Sequence, residues 1–112
     1  MIQDADLFDR EKALKCFGSD TILQEVLKQF LAEVDPMLTR LRQAAEANDR
    51  EEVRKAVHWF RGGLSYLFSP AAERACLVLD EQTQEDPLPE LSATLDALEL
   101  VMRRLQEHVL QA

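Results

Sequence analysis

From Ile22 to Ala45 the apolar side chains recur at steps of three and four residues, through Leu23, Val26, Leu27, Phe30, Leu31, Val34, Met37, Leu38, Leu41 and Ala44. An α-helix gathers residues at that spacing onto one side, so the stretch reads as a long helix with a continuous buried stripe. Pro36 falls inside it, where it removes a backbone donor and should bend the helix. The stripe keeps its phase across the proline, which predicts one kinked helix rather than two. Ser19 or Asp20 is placed to cap its start.

The remaining elements follow the same period. A short first helix runs from an N-cap at Asp9 to about Cys16, with Gly18 ending it. Asn48-Asp49 breaks the long stripe, and Asp49 with Glu52 forms a capping-box signature for a third helix. That helix turns Val53, Ala56, Val57, Phe60, Leu64 and Leu67 inward. Ser69-Pro70 is an N-cap followed by proline at the first helical position, opening a fourth helix that carries Ala72, Ala75, Cys76 and Leu79 to about Gln82. Thr83 to Pro89, polar and twice broken by proline, is a loop. Leu91, Leu95, Leu98, Met102, Leu105 and Val109 form the seam of a last helix. No strand-like alternation competes. The reading is all-α: one domain, residues 1–112, built as an antiparallel four-helix bundle with a short additional N-terminal helix.

Composition narrows the function. Asp and Glu number 21 against 13 Lys and Arg, a net charge of -8, which opposes general affinity for nucleic acid or an anionic membrane. There is no signal peptide and no apolar run of membrane-spanning length. Cys16 and Cys76 are too far apart to form a redox or metal motif, and Cys76 among Ala72, Ala75 and Leu79 reads as a small buried hydrophobe. A reduced, cytoplasmic setting is expected. Helical bundles often carry metals, but the di-metal pattern needs Glu three residues before histidine, and Lys55 and Leu105 stand there instead. No haem motif, hydrolase constellation or phosphate-cradling glycine loop is present, so neither a cofactor nor kinase activity of the chain's own is expected.

The third helix holds Ala56-Val57-His58-Trp59-Phe60-Arg61-Gly62-Gly63. Helical spacing puts His58 on one face with Arg54, Lys55, Arg61, Gly62 and, two turns on, Ser65. Imidazole titrates close to neutrality and in its neutral form is a nucleophile that needs no general base. Cations beside it favour an anion once one is attached. Arg61, one turn on, is the best-placed cation for holding phosphoryl oxygens. Each glycine in a helix interior costs about 1 kcal/mol against alanine, and close approach of another protein's backbone would account for Gly62 and Gly63. The pattern suits a histidine that accepts and releases a phosphoryl group. An ordinary solvent-facing histidine stays open at this point. His108, near the C-terminus, lacks such neighbours and reads as a complement to the helix dipole. Trp59 and Tyr66 read as a packing pair.

Three segments resemble the histidine-containing phosphotransfer (HPt) domain family. Leu7-Phe8-Asp9 through Cys16-Phe17-Gly18-Ser19-Asp20 is similar to its opening helix and Gly-Asp turn. Phe30-Leu31-Ala32-Glu33 with Pro36-Met37-Leu38 is similar to its second helix, and Ala56 to Gly62 to its His-x-Leu-Lys-Gly core. The resemblance implies that His58 is phosphorylated, that Arg61 replaces the family's lysine, and that Gly62 lets a receiver domain approach. It also implies docking through apolar positions of the first helix, Leu7 and Phe8, and through the face that bears Arg54, Lys55 and Ser65. The receiver would contribute the Mg2+ and the aspartate. Ser65 and Phe68 stand where the family often has glycine, and Val57 where it usually has alanine.

The expected function is therefore a phosphorelay intermediate of two-component signalling. It accepts a phosphoryl group on His58 from a receiver-domain aspartate and passes it to another receiver. Its partners would be response regulators and a hybrid sensor histidine kinase, and it would act as a free-standing monomer. The alternatives are a non-phosphorylated adaptor of the same fold, and a helical binding or dimerisation domain outside signalling.

Overall fold

The computed structural model describes residues 7–110 and, within them, all side chains but those of Tyr66, Leu67, His108, Val109 and Leu110. The expectations for those five side chains, the Trp59–Tyr66 pair included, lie outside the described residues.

Among the described residues the chain forms helices α1 (Arg10–Phe17), α2 (Asp20–Glu46), α3 (Arg50–Leu67), α4 (Pro70–Gln82) and α5 (Ser92–Leu110), with no strand. The starts of α1 to α4 are set by short polar side chains that satisfy orphan amides. Asp9 accepts from the Lys12 amide, Ser19 from Ile22, Asp49 from Glu52 and Ser69 from Ala72. Gly18 ends α1 at φ 72°, donating to the Leu14 carbonyl at 2.7 Å. The long helix runs through Pro36 without a break, as its unbroken apolar phase requires.

Two turns differ from the sequence pattern. At the start of α3 only half of the capping box forms. The Asp49 amide is already spent on the Ala44 carbonyl at 2.9 Å, and the Glu52 carboxylate pairs with Lys55 at 3.2 Å. At its end, Phe68 takes the left-handed conformation, φ 52°, in which glycine would be unstrained. Its partly buried ring packs on the core, and its carbonyl accepts the Asp9 amide at 3.0 Å, tying the start of α1 to the end of α3.

The four long helices form a ring: α2 on α3, α3 on α4, α4 on α5, and α5 back on α2, with α1 across α2 and α3. Cross-helix pairs fix the directions. Along α2 and α5, Arg42 meets Asp96 and Glu99, Asp35 meets Arg103, and the Leu31 carbonyl accepts from Gln106. Falling numbers on one helix against rising numbers on the other make the pair antiparallel. The same holds for α3 and α4, where Arg61 meets Asp80 and Arg50 meets Asp86 just past the helix end. The core is the stripe anticipated from the spacing: Leu23, Leu27, Leu31, Val34, Leu38 and Leu41 of α2 against Val53, Ala56, Val57, Phe60 and Leu64 of α3, with Leu79, Leu91, Leu98, Met102 and Leu105 closing it. None of the described helices is long and apolar enough to cross a membrane.

The junction of α2 and α3 is aromatic. Phe30 stacks on Trp59 with ring centroids 5.0 Å apart and planes at 18°, and Trp59 meets Phe60 edge-on at 5.0 Å and 86°. The other neighbour of the Phe30 ring is Gly63, where a Cβ would stand 2.0 Å from Cε1 of Phe30. Gly63 thus serves the fold itself. Gly62 is different, since a Cβ there meets nothing within 4 Å.

Replacing each glycine by alanine separates the two roles. Gly62→Ala should raise stability by up to about 1 kcal/mol through helix propensity alone. Gly63→Ala should come out about 1–3 kcal/mol worse than Gly62→Ala, because the Phe30 ring must give way. Thermal denaturation with Trp59 fluorescence reads both, and equal gains would show that Phe30 yields freely. The cysteines differ as sharply. Burial pushes the Cys76 thiol up to about 12, whereas Cys16 is exposed. A disulfide reagent at pH 8 should modify Cys16 alone in the native protein, and Cys76 only after unfolding.

Candidate functional site

Because α3 turns Val57 and Phe60 inward, the residues between and beyond them come out on the opposite side. Arg54, Lys55, His58, Arg61, Gly62 and Ser65 are all exposed, as helical spacing required. His58 stands on a ridge between two hollows. On the α4 side is a polar recess of about 520 Å³ lined by Glu51, Arg54, Lys55, His58, Arg61 and Asp80. On the α2 side is an open groove of about 430 Å³, where His58 borders Phe30, Trp59, Gly62 and Gly63, with Gln29 and Glu33 on its α2 wall. An imidazole in that position can be reached from either side, and the bare backbone at Gly62 leaves the groove open.

The charges are arranged otherwise than the sequence suggested. The cations around His58 are largely matched. Lys55 is paired with Glu52 on its own helix, and the Arg61 guanidinium donates to the Asp80 carboxylate from the last turn of α4. Arg54 makes no ion pair with a described residue. The recess is therefore a mixed cluster in which Arg61 is held rather than free. Both partners remain partly exposed, with 49% of the Arg61 side chain and 36% of that of Asp80 open to solvent.

Three other expected contributors are placed differently. Leu7 and Phe8 are 5% and 7% exposed and belong to the core, pulled in by the Asp9–Phe68 backbone bond. They offer no docking surface. The apolar side chains exposed at that end are Leu14 of α1 and Ile22 of α2. Ser65 turns its hydroxyl back to the Gly62 carbonyl at 2.7 Å and lines a separate hollow between α3 and α4, with Arg61, Glu73 and Cys76. It is close to the site without facing His58 across it.

Sequence reasoning missed Glu51, Asp80 and the Phe30–Trp59 wall. Glu51 lies two helical turns before His58, so the α3 period alone could have found it. Asp80 and Phe30 come from neighbouring helices, and their placement depends on how those helices register against α3. Among the described residues no group of three or more His, Cys, Asp and Glu is placed to hold a metal ion.

The geometry has relatives. The model of the family described as Hpt domain matches residues 25–108, which takes in α3 and the whole of the His58 face. Among solved structures, the chain is similar to the HPT domain of the Hpt sensor hybrid histidine kinase from Shewanella. The TM-score is 0.77 at 21% identity, over 97% of this chain and 98% of that one, a likeness of fold. No curated protein sequence gives a significant match. With a family match spanning well over half its length, the chain belongs to the Hpt domain family, the phosphotransfer modules of two-component signalling.

Proposed function

We propose that the chain is a phosphorelay intermediate in which His58 takes a phosphoryl group from the aspartyl phosphate of one receiver domain and gives it to the aspartate of another. The observation that carries this reading is the exposed imidazole of His58 on the ridge between the two hollows, next to the open backbone of Gly62. In the forward step the unprotonated ring nitrogen attacks phosphorus. The bond from phosphorus to the carboxylate oxygen breaks, and its electrons leave with the carboxylate. The other ring nitrogen keeps its proton, so the site gains one net negative charge. Onward transfer is the reverse, with a second carboxylate as nucleophile. Neither direction needs a base from this chain. The partners are the receiver domains of response regulators and of a hybrid sensor histidine kinase, the kind of protein from which the Shewanella domain comes. The receiver brings the metal ion and the activated aspartate, and kinase activity lies elsewhere.

Arg61 would turn to the phosphoryl oxygens after transfer, a charge-assisted contact suited to a guanidinium. Arg54, with no ion pair of its own among the described residues, would add to the attraction. The groove beside Gly62 would admit the receiver's loops.

Incubation with receiver domains carrying labelled aspartyl phosphate should give acid-labile, base-stable label on the wild-type chain and none on His58→Gln. Absence of label with every receiver of the source organism overturns the reading, and binding without transfer would favour an adaptor instead. Label that persists in His58→Gln moves the site. Gly62→Leu should keep the fold, since nothing within 4 Å opposes its Cβ. Transfer should slow by about tenfold or more, the equivalent of a 1.4 kcal/mol penalty on docking. An unchanged transfer rate in that variant removes the groove from the docking face.

A further inference from the structure

Among the described residues the Arg61–Asp80 pair is the one cross-helix charge contact at the site, and it lies in the same recess as His58. Resting on the reading of His58 as phosphoryl carrier, we infer that Asp80 is a positioning residue. It holds Arg61 while the imidazole is bare and competes with the phosphoryl group for that guanidinium once it is charged, so that phosphohistidine stays easy to discharge.

Three features support this. The first is placement. Asp80 is held firmly, because its carbonyl accepts the Thr83 hydroxyl at 2.8 Å, and Thr83 is buried with its own carbonyl taken by Arg50. The carboxylate is thus presented to α3 by the closing turn of α4. The second is the helix end. Asp80 lies in the last turn of α4, which carries no basic residue and where the negative end of the helix dipole disfavours an anion. Arg61 relieves that conflict, so releasing Arg61 to another anion leaves Asp80 uncompensated. The third is the charge balance of transfer. Each phosphoryl group adds one negative charge to a recess that already holds the carboxylates of Glu51 and Asp80. Of those two, only Asp80 is bonded to the cation that the phosphoryl group needs.

The balance of the step is unchanged. The nitrogen–phosphorus bond forms as the carboxylate–phosphorus bond breaks, and Asp80 neither gains a proton nor touches phosphorus. It acts through Arg61, by setting how much of the guanidinium the phosphoryl group can claim.

The test is a double-mutant cycle on full-length protein with a receiver domain carrying labelled phosphate. Circular dichroism first establishes that each variant is folded; Asp80→Asn keeps the backbone carbonyl that Thr83 uses. In Asp80→Asn the lifetime of phosphohistidine should lengthen, and its equilibrium with receiver aspartyl phosphate should shift toward histidine, each by about two- to fivefold, the range of a partly exposed ion pair. Asp80→Glu should restore wild-type values. In an Arg61→Ala background, Asp80→Asn should have no effect. A purely structural role for Asp80 would alter thermal unfolding without moving that equilibrium. Unlabelled wild-type protein overturns this inference together with the phosphorelay reading. Labelled wild type with an indistinguishable Asp80→Asn overturns this inference alone. So does an Asp80→Asn effect that survives in Arg61→Ala, which would be direct repulsion.

Discussion

Everything at the site depends on how α3 is rotated about its own axis, and that rotation is set by burial of Val53, Ala56, Val57, Phe60 and Leu64. Fully burying the valine, phenylalanine and leucine side chains among them stabilises by about 1.5–3 kcal/mol each, far more than any charge pair on the opposite face. A rotation of α3 by one residue's step, about 100°, would expose Val57 and bury His58. The apolar stripe therefore aims the imidazole, and the polar residues contribute little to that aim. The interlock of Phe30 with Gly63, backed by Trp59, adds a register along the helix axis. It sets the height at which His58 and Gly62 stand relative to α2. Two adjacent glycines thus serve different ends, one seating a ring from inside the protein and the other leaving backbone bare toward solvent.

Much of this was readable along the chain because the determinants are local. Asp9, Ser19, Asp49 and Ser69 cap the helices that their positions promised. The α2 stripe runs through Pro36 as its phase required, and Cys76 is buried among alanines. The exposed face of α3 was legible for the same reason, since its members all lie on one helix. What was hidden depends on side chains choosing between partners. Glu52 has the right spacing for a capping box but takes Lys55, because the Asp49 amide is already bonded to Ala44. Trp59 stacks on Phe30 from the next helix, a partner that spacing along one helix does not show. Leu7 and Phe8 precede α1 and could have faced either way. A single backbone bond from Asp9 to Phe68, across about half of the chain, draws that segment onto the core.

Phe68 stands where the family resemblance implies glycine, and its backbone takes a conformation that glycine adopts without strain. The position closes α3 with positive φ, a conformation that suits glycine and costs other residues roughly 1–2 kcal/mol. A phenyl ring packed on the core offsets that strain. The departure falls in the turn, and the start of α4 is set by Ser69 and Pro70.

The reading of charge changed most between sequence and structure. Along α3 alone, Arg54, Lys55 and Arg61 make His58 look like the centre of a cationic patch, which would stabilise a bound phosphoryl group strongly. A carrier that must both receive and deliver gains nothing from strong stabilisation, since a group held tightly in one step is harder to pass on in the next. In three dimensions the patch is tempered. Glu52 takes Lys55 within the helix, and α4 brings Asp80 to Arg61. Arg54 is left as the cation without an ion pair among the described residues. On the proposed reading, the helix-local charges would favour loading, and the charge brought across from α4 would favour release. A module built as a bundle can adjust that balance by substitution on α4, without touching the helix that carries the histidine.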